Sequence, residues 1–271
     1  MIHIDARPVG FFALLTTVLR HIKYAKDRNQ KIWVYWNKTN CLYYEPSMGD
    51  NSWEYFFEPI KESETEPITQ VLNNYIEIEA YPGLNIRQTF NHLYNTYVKV
   101  NVETQKIIDA SINSAGIDEN TLGVHIRKTD RYMSEFYKDT LSLPTDDDKV
   151  FPLIDSKMKD YKKLFLATDC VNTYALYKER YKDVIIDNDD IMRGADSFAV
   201  HTHHSGDGYR KGIDVILDSY RLSKCGYLVL STSNVSCMSM FMNLSLRCIN
   251  INEIFRNDTR IHEFNIYSDP I

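Results

Sequence analysis

From Thr121 to Glu135 the chain passes from alternating side chains into a run of charge. Val124 and Ile126 alternate with His125 and Arg127, the period of two that marks a strand with one buried face. Lys128, Asp130, Arg131 and Glu135 follow, at the carboxyl end of that strand, where α/β sheets bind ligands. Upstream, a short strand at Ile2 to Ile4 leads through Gly10 into Phe11 to Ala25, whose Leu14, Leu15, Val18, Leu19, Ile22 and Ala25 recur at helical spacing. The apolar strand Ile32 to Trp36 completes a β-α-β unit. Asn37 to Pro67 shows no clean period and reads as a surface region; its Tyr43, Tyr44, Trp53, Tyr55 and Phe56 suit either sugar stacking or ordinary packing. A strand is expected at Ile76 to Ala80, and helices at Ile86 to Val98 and Thr104 to Ser114.

Beyond Thr121 the pattern becomes strand and helix in alternation. Strands are expected at Gly123 to Ile126, Leu164 to Ala167, Val184 to Ile186, Tyr227 to Leu230 and Cys248 to Ile251, with helices at Val171 to Tyr181 and Ile213 to Ser223. Such alternation implies a parallel sheet covered on both faces. Thr140 to Asp148 and Ile191 to Lys211 read as loops, and the tail after Phe255 as a packing strap. The expected organisation is two α/β lobes, residues 1–117 and 118–271.

At 271 residues the chain has room for two such lobes. Its net charge of -6 argues against a nucleic-acid binder that depends on backbone phosphates, so phosphate binding, if any, must be local. No window is apolar enough to span a bilayer, and the opening residues lack the pattern of a signal peptide. A cytoplasmic protein is expected. Five cysteines without close metal-type spacing read as buried or incidental thiols.

Three groups fall at the same end of the second sheet: His125, Arg127, Asp130 and Arg131 after one strand, Thr168 and Asp169 after the next, and Ser231 to Asn234 after a later one. Singly, each has a plain structural use, as a surface ion pair or a helix cap. Together, an arginine fork beside hydroxyls and a helix N-terminus is anion chemistry that fits a diphosphate. Two metal readings compete. His201, His203 and His204 invite zinc, but they stand in a loop with no Glu at helical spacing. Asp187, Asp189 and Asp190 after an expected strand resemble the DxD of metal-dependent glycosyltransferases, although capping or solvated loop carboxylates are the plainer reading of them, as of Asp146 to Asp148.

Gly123-Val-His-Ile-Arg-Lys-Thr-Asp130 resembles the His-x-Arg-x-x-Asp signature of the fucosyltransferase superfamily, in particular the α1,6 group of core and rhizobial nodulation enzymes. Leu166-Ala-Thr-Asp169 resembles that group's second motif, and Val215-Ile-Leu-Asp218 with Leu222-Ser223 and Leu228-Val229 its third. The resemblance implies a GT-B-like fold of two Rossmann-like lobes, with the donor site in the C-terminal lobe and the acceptor side in the N-terminal one. It implies inverting transfer of L-fucose from GDP-fucose to a glycan hydroxyl, with no metal or other cofactor. Arg127 would grip the β-phosphate, His125 would lie against the nucleotide and Asp218 would bind guanine. Lys128, Arg131, Asp169, Ser233 and Asn234 complete the implied donor set, Asp130 would orient the arginine, and Glu135 stands where the group places its proposed base. The chain departs from the pattern at Lys128, Arg131 and Cys170. A metal-dependent DxD transferase and a non-catalytic glycan- or nucleotide-binding module are the alternatives.

Overall fold

The computed structural model describes residues 1–129, 146–195 and 207–270. The chain divides into two compact units, Met1–Asp109 with Ser205–Val215, and Ala110–His204 with Ile216–Ile271.

The first unit is built on a three-stranded parallel sheet. Strand β1 (Ile2–Ile4) lies between β2 (Ile32–Val34) and β3 (Gln70–Leu72). Helix α1 (Phe11–Lys26) buries Leu14, Leu15, Val18, Leu19 and Ile22, the residues its helical period had picked out. Thr16 and Thr17 are buried as well, because their hydroxyls donate back to the Phe12 carbonyl at 2.8 Å and the Ala13 carbonyl at 2.7 Å. A capping box between Asn85 and Gln88 starts α2 (Ile86–Tyr97), and α3 (Val102–Ala115) follows.

The segment expected to be a surface region is exposed at Lys38, Thr39 and Pro46 to Asp50, but its aromatic residues pack into the core. Trp53, Phe56, Tyr43 and Tyr55 are buried, and Phe11 meets Trp36, Tyr43 and Phe56 edge to face. No period announces this, since the backbone is irregular and side chains satisfy it. Asn51 accepts from the amides of Trp36 (2.9 Å) and Trp53 (3.2 Å) and donates to the Val34 carbonyl. Gly208 and Gly212 belong to this unit too: a Cβ at the first would strike the backbone of Tyr43 and Tyr44, and one at the second the Phe56 ring. The strand expected at Ile76 to Ala80 does not form; Arg20 Nη1 takes the Ile76 carbonyl at 3.0 Å, and the third strand is the more polar Gln70–Leu72.

The second unit carries a four-stranded, wholly parallel sheet in the order β5-β4-β6-β7, from β4 (Thr121–Ile126), β5 (Lys163–Thr168), β6 (Tyr227–Leu230) and β7 (Cys248–Asn250). All six residues of β4 are buried. Its alternation therefore does not separate a wet face from a dry one, as expected from sequence; the strand is central and covered on both sides. Leu122, Val124 and Ile126 pack with Leu164, Leu166, Val229, Ile249, Ile154 and Tyr177. On the other side Gly123 admits a close approach, since a Cβ there would lie 2.5 Å from Leu228 and 3.0 Å from Cys225 Sγ.

Helix α4 (Asp147–Lys157) stands where the sequence pattern shows only a loop; Asp146 to Asp148 are its cap and first turn, the capping use read for them, where negative charge suits the helix dipole. It is followed by α5 (Val171–Arg180), α6 (Gly208–Lys224), α7 (Asn234–Met242) and α8 (Ile251–Arg256). Val184 to Ile186 is not a strand. It touches β5 through one parallel bridge, Leu164 to Ile185, before Asp187 and Asn188 leave for side-chain partners on α5. In the tail, Ile261, Phe264 and Ile266 are buried and Ser268 bridges Cys248 of β7, as a strap would.

Candidate functional site

Because β5, β4 and β6 are adjacent and parallel, the residues that follow them emerge side by side at one edge of the sheet. Backbone bonds tie them together. The Ser231 amide donates to the His125 carbonyl at 2.8 Å, and the Arg127 amide donates to Ser231 Oγ at 3.2 Å.

Asp169, just past β5, is the anchor of this edge. Its carboxylate accepts from the Lys128 amide at 2.9 Å and the Thr129 hydroxyl at 2.6 Å, and it pairs with Arg127 Nη1 at 3.0 Å. Burial by itself would raise the Asp169 pKa. The Arg127 charge, the two hydrogen bonds and the nearby His125 outweigh burial and hold the carboxyl below its ordinary value. The guanidinium of Arg127 is thereby fixed at the strand end by an ionised partner.

His125 is buried in β4, and its Nδ1 lies 2.6 Å from Ser236 Oγ in α7. Ser236 Oγ in turn donates to the Ser231 carbonyl at 2.9 Å. Ser236 Oγ thereby links the His125 ring to the backbone that follows β6.

Lys128 has a different place. It is buried, and its Nζ pairs with Asp147 Oδ2 at 2.8 Å while Tyr177 donates to Asp147 Oδ1 at 3.1 Å. Ser233 caps α7, accepting from the amides of Val235 at 3.1 Å and Ser236 at 3.3 Å, and Asn234 is exposed in the first turn of the same helix. Cys170 caps α5, its sulfur accepting from the Thr173 amide at 3.4 Å.

Asp218 belongs to a second group. It accepts from Asn188 Nδ2 at 3.4 Å; Asn188 is buried, its Oδ1 accepts from Arg221 Nη1, and Arg221 Nε donates to Ser111 at 2.7 Å. Sequence reasoning missed Asn188 and Arg221. The only signal was an Asn set between aspartates after an apolar run.

Asp187 and Asp189 share the Lys178 ammonium, at 2.9 and 2.5 Å, and that bond lowers the Asp187 pKa. Among the described residues no three His, Cys, Asp or Glu side chains form a group able to hold a metal ion. Asp130, Arg131, Glu135, His201, His203 and His204 lie outside the described residues. Among the described residues no helix is long and apolar enough to cross a membrane.

Residues 88–244 match the family described as alpha-(1,6)-fucosyltransferase N- and catalytic domains. No curated protein matches the sequence. Among solved structures, NodZ alpha-1,6-fucosyltransferase soaked with GDP-fucose is similar at 16% identity, with a TM-score of 0.57 over 92% of this chain and 94% of that one. Bradyrhizobium is the source of the fucosyltransferase NodZ in a second match, again 16% identical, with a TM-score of 0.56 over the same shares of both chains. A mutant of Arabidopsis thaliana FUT1 in complex with GDP is 9% identical, with a TM-score of 0.57 over 91% of this chain and 69% of that one. These likenesses show the fold, that of the GT-B fucosyltransferases.

Proposed function

The chain belongs to the alpha-(1,6)-fucosyltransferase family, and we propose that it transfers L-fucose from GDP-fucose to a glycan hydroxyl with inversion at the anomeric carbon. One observation carries the reading: Arg127, held by the ionised Asp169, stands at the carboxyl edge of a parallel sheet, where such folds hold nucleotides. A planar fork there can hold two oxygens of the donor's diphosphate. Charge on that diphosphate grows as the glycosidic bond breaks, so a guanidinium set in place beforehand stabilises the transition state more than the bound donor.

Further roles follow from the family resemblance. His125, with Nδ1 engaged by Ser236, would meet the nucleotide through Nε2. Asp218 would bind guanine, and Ser233 and Asn234 would bring the start of α7 to the phosphates. Lys128 would act on the donor at a distance, since its ammonium is paired with Asp147. Asp130 would orient Arg127, Arg131 would add positive charge and Glu135 would take the acceptor proton. On this reading the first unit serves the acceptor and the second the donor. The reaction needs no divalent ion, because arginine and helix-end amides neutralise the leaving group. A cytoplasmic location agrees with five cysteines that are all buried free thiols.

The test is incubation with GDP-fucose and a panel of glycans in EDTA, with product mass and linkage read out. Fucosylated glycan with an inverted anomeric centre is expected. Turnover that stops in EDTA and returns with Mn²⁺, or donor use restricted to another nucleotide sugar, would overturn the reading.

A further inference from the structure

The stretch from Asp187 to Gly194 carries a guanidinium that the proposed chemistry does not use. Its last residue is pinned to the end of β5: the Gly194 amide donates to the Asp169 carbonyl at 2.9 Å, and the Val171 amide donates to the Gly194 carbonyl at 2.9 Å. Arg193 therefore leaves the backbone at the sheet edge where Asp169 holds Arg127.

The Arg193 side chain is fixed in two ways. Its guanidinium carbon lies 3.7 Å from the centroid of the Tyr174 ring, and Nη1 donates to the Ile191 carbonyl at 3.1 Å. The ring beneath it is itself held, because the Tyr174 hydroxyl accepts from the Asn188 amide at 2.8 Å and donates to Asp187 at 3.1 Å. The remaining donors, Nε and Nη2, are buried and make no hydrogen bond among the described residues. These two nitrogens form one side of the guanidinium fork, the side whose paired N–H groups match two oxygens of a phosphate or carboxylate. Buried charged donors without acceptors are costly, and a stacked fork with its bidentate side unsatisfied is organised for an oxyanion before the oxyanion arrives.

We propose that Arg193 is a further oxyanion-binding residue of this unit, taking phosphate oxygens of the bound nucleoside diphosphate on its Nε and Nη2 side. The inference rests on the donor reading given above. It adds a binding group that lies outside the three sequence motifs, and it makes nucleotide affinity depend on a guanidinium besides those of Arg127 and Arg131. Arg193→Lys keeps a charge but not the paired donors, and Arg193→Gln keeps neither.

The test is calorimetric binding of GDP, guanosine and inorganic pyrophosphate to the wild-type chain, Arg193→Gln and Arg193→Lys. Loss of a charge-assisted, two-pronged contact predicts that Arg193→Gln weakens GDP about tenfold or more, with guanosine within about twofold of wild type. Arg193→Lys falls between the two. If Arg193→Gln fails to fold, Arg193→Lys gives the reading by itself, with a drop for GDP of several fold and none for guanosine. GDP affinity unchanged in a folded variant overturns the proposal, whatever pyrophosphate does, and so does equal weakening of GDP and guanosine. Failure of the wild-type chain to bind GDP would instead strike the donor reading.

Discussion

Replacing Asp169 by Asn keeps the shape of the side chain and removes its charge. Three contacts change at once: the pair with Arg127 at 3.0 Å, the Thr129 hydroxyl at 2.6 Å and the Lys128 amide at 2.9 Å. Removing one partner of a well-buried pair costs about 3–5 kcal/mol. Here the Arg127 side chain is 20% exposed and Asp169 12%, so water screens part of the loss and about 2–3 kcal/mol is the better figure for the pair. Asn has one acceptor oxygen where the carboxylate has two, so with that oxygen kept for the Lys128 amide the Thr129 hydroxyl must turn to accept from the new NH2 group, and the two exchanges together cost roughly 1 kcal/mol. Together the expected destabilisation is about 3–4 kcal/mol at pH 7, read by urea denaturation followed by circular dichroism. The same substitution loosens Arg127, so GDP affinity measured by calorimetry should fall as well. Because the folded carboxyl titrates below its unfolded value, the wild-type advantage is complete above about pH 4 and is lost as pH falls through the lowered folded pKa. Stability within about 1 kcal/mol of wild type, with GDP affinity unchanged, would refute the claim that Asp169 holds Arg127 in place.

Arg127→Lys should be nearly as damaging as Arg127→Ala, with the fall in kcat for fucosyl transfer exceeding any rise in donor KM, because an ammonium cannot hold two phosphate oxygens in one plane; near-native kcat in the Lys variant would contradict this. Glu135→Gln should bind GDP-fucose normally yet lose most of kcat, whereas Asp130→Asn should weaken donor binding too; steady-state kinetics beside direct binding separate the cases, and a native rate for Glu135→Gln across pH would move the base elsewhere. His21, buried in α1, has its pKa lowered to about 4, first by burial and then by the Arg7 charge. The unfolded chain takes up its proton near pH 6.5 and the folded one does not, so stability from the neutral ring is complete above pH 6.5 and falls as the pH drops toward 4. Between pH 7 and pH 5 the wild-type chain should lose about 2 kcal/mol more than His21→Leu in urea denaturation, and equal losses would refute the assignment.

The second unit was the more legible because its elements repeat a simple period. Val124 and Ile126, Leu164 and Leu166, and Leu228 with Val229 announce buried strands, and each strand end carries its polar group within three residues. Proximity of Arg127 to Asp169 could be argued from adjacent parallel strands, since register places Ile126 opposite Thr168. Contacts across helices could not. Nothing in the sequence pairs Lys128 with Asp147, Asn188 with Arg221, or Arg193 with Tyr174, because each depends on how a helix packs. Asp146 to Asp148 looked like loop for a related reason: the same residues that favour turns favour helix starts. In the first unit, Trp53 and Phe56 lie in the core on irregular backbone held by Asn51, and without a period an aromatic residue gives no sign of which way it faces.

On the proposed reading the edge formed by Arg127, Asp169 and the start of α7 holds GDP. A thermal-shift panel of GDP, UDP, ADP and CMP on the wild-type chain and Arg127→Ala tests it directly, because a ligand that binds only the folded state stabilises it by about 2.7 kcal/mol at a hundred times its Kd. GDP should raise the wild-type midpoint, the other three nucleotides should leave it nearly unmoved, and Arg127→Ala should lose most of the GDP response. A wild-type midpoint indifferent to GDP, raised equally by all four nucleotides, or raised as much in Arg127→Ala would contradict the account.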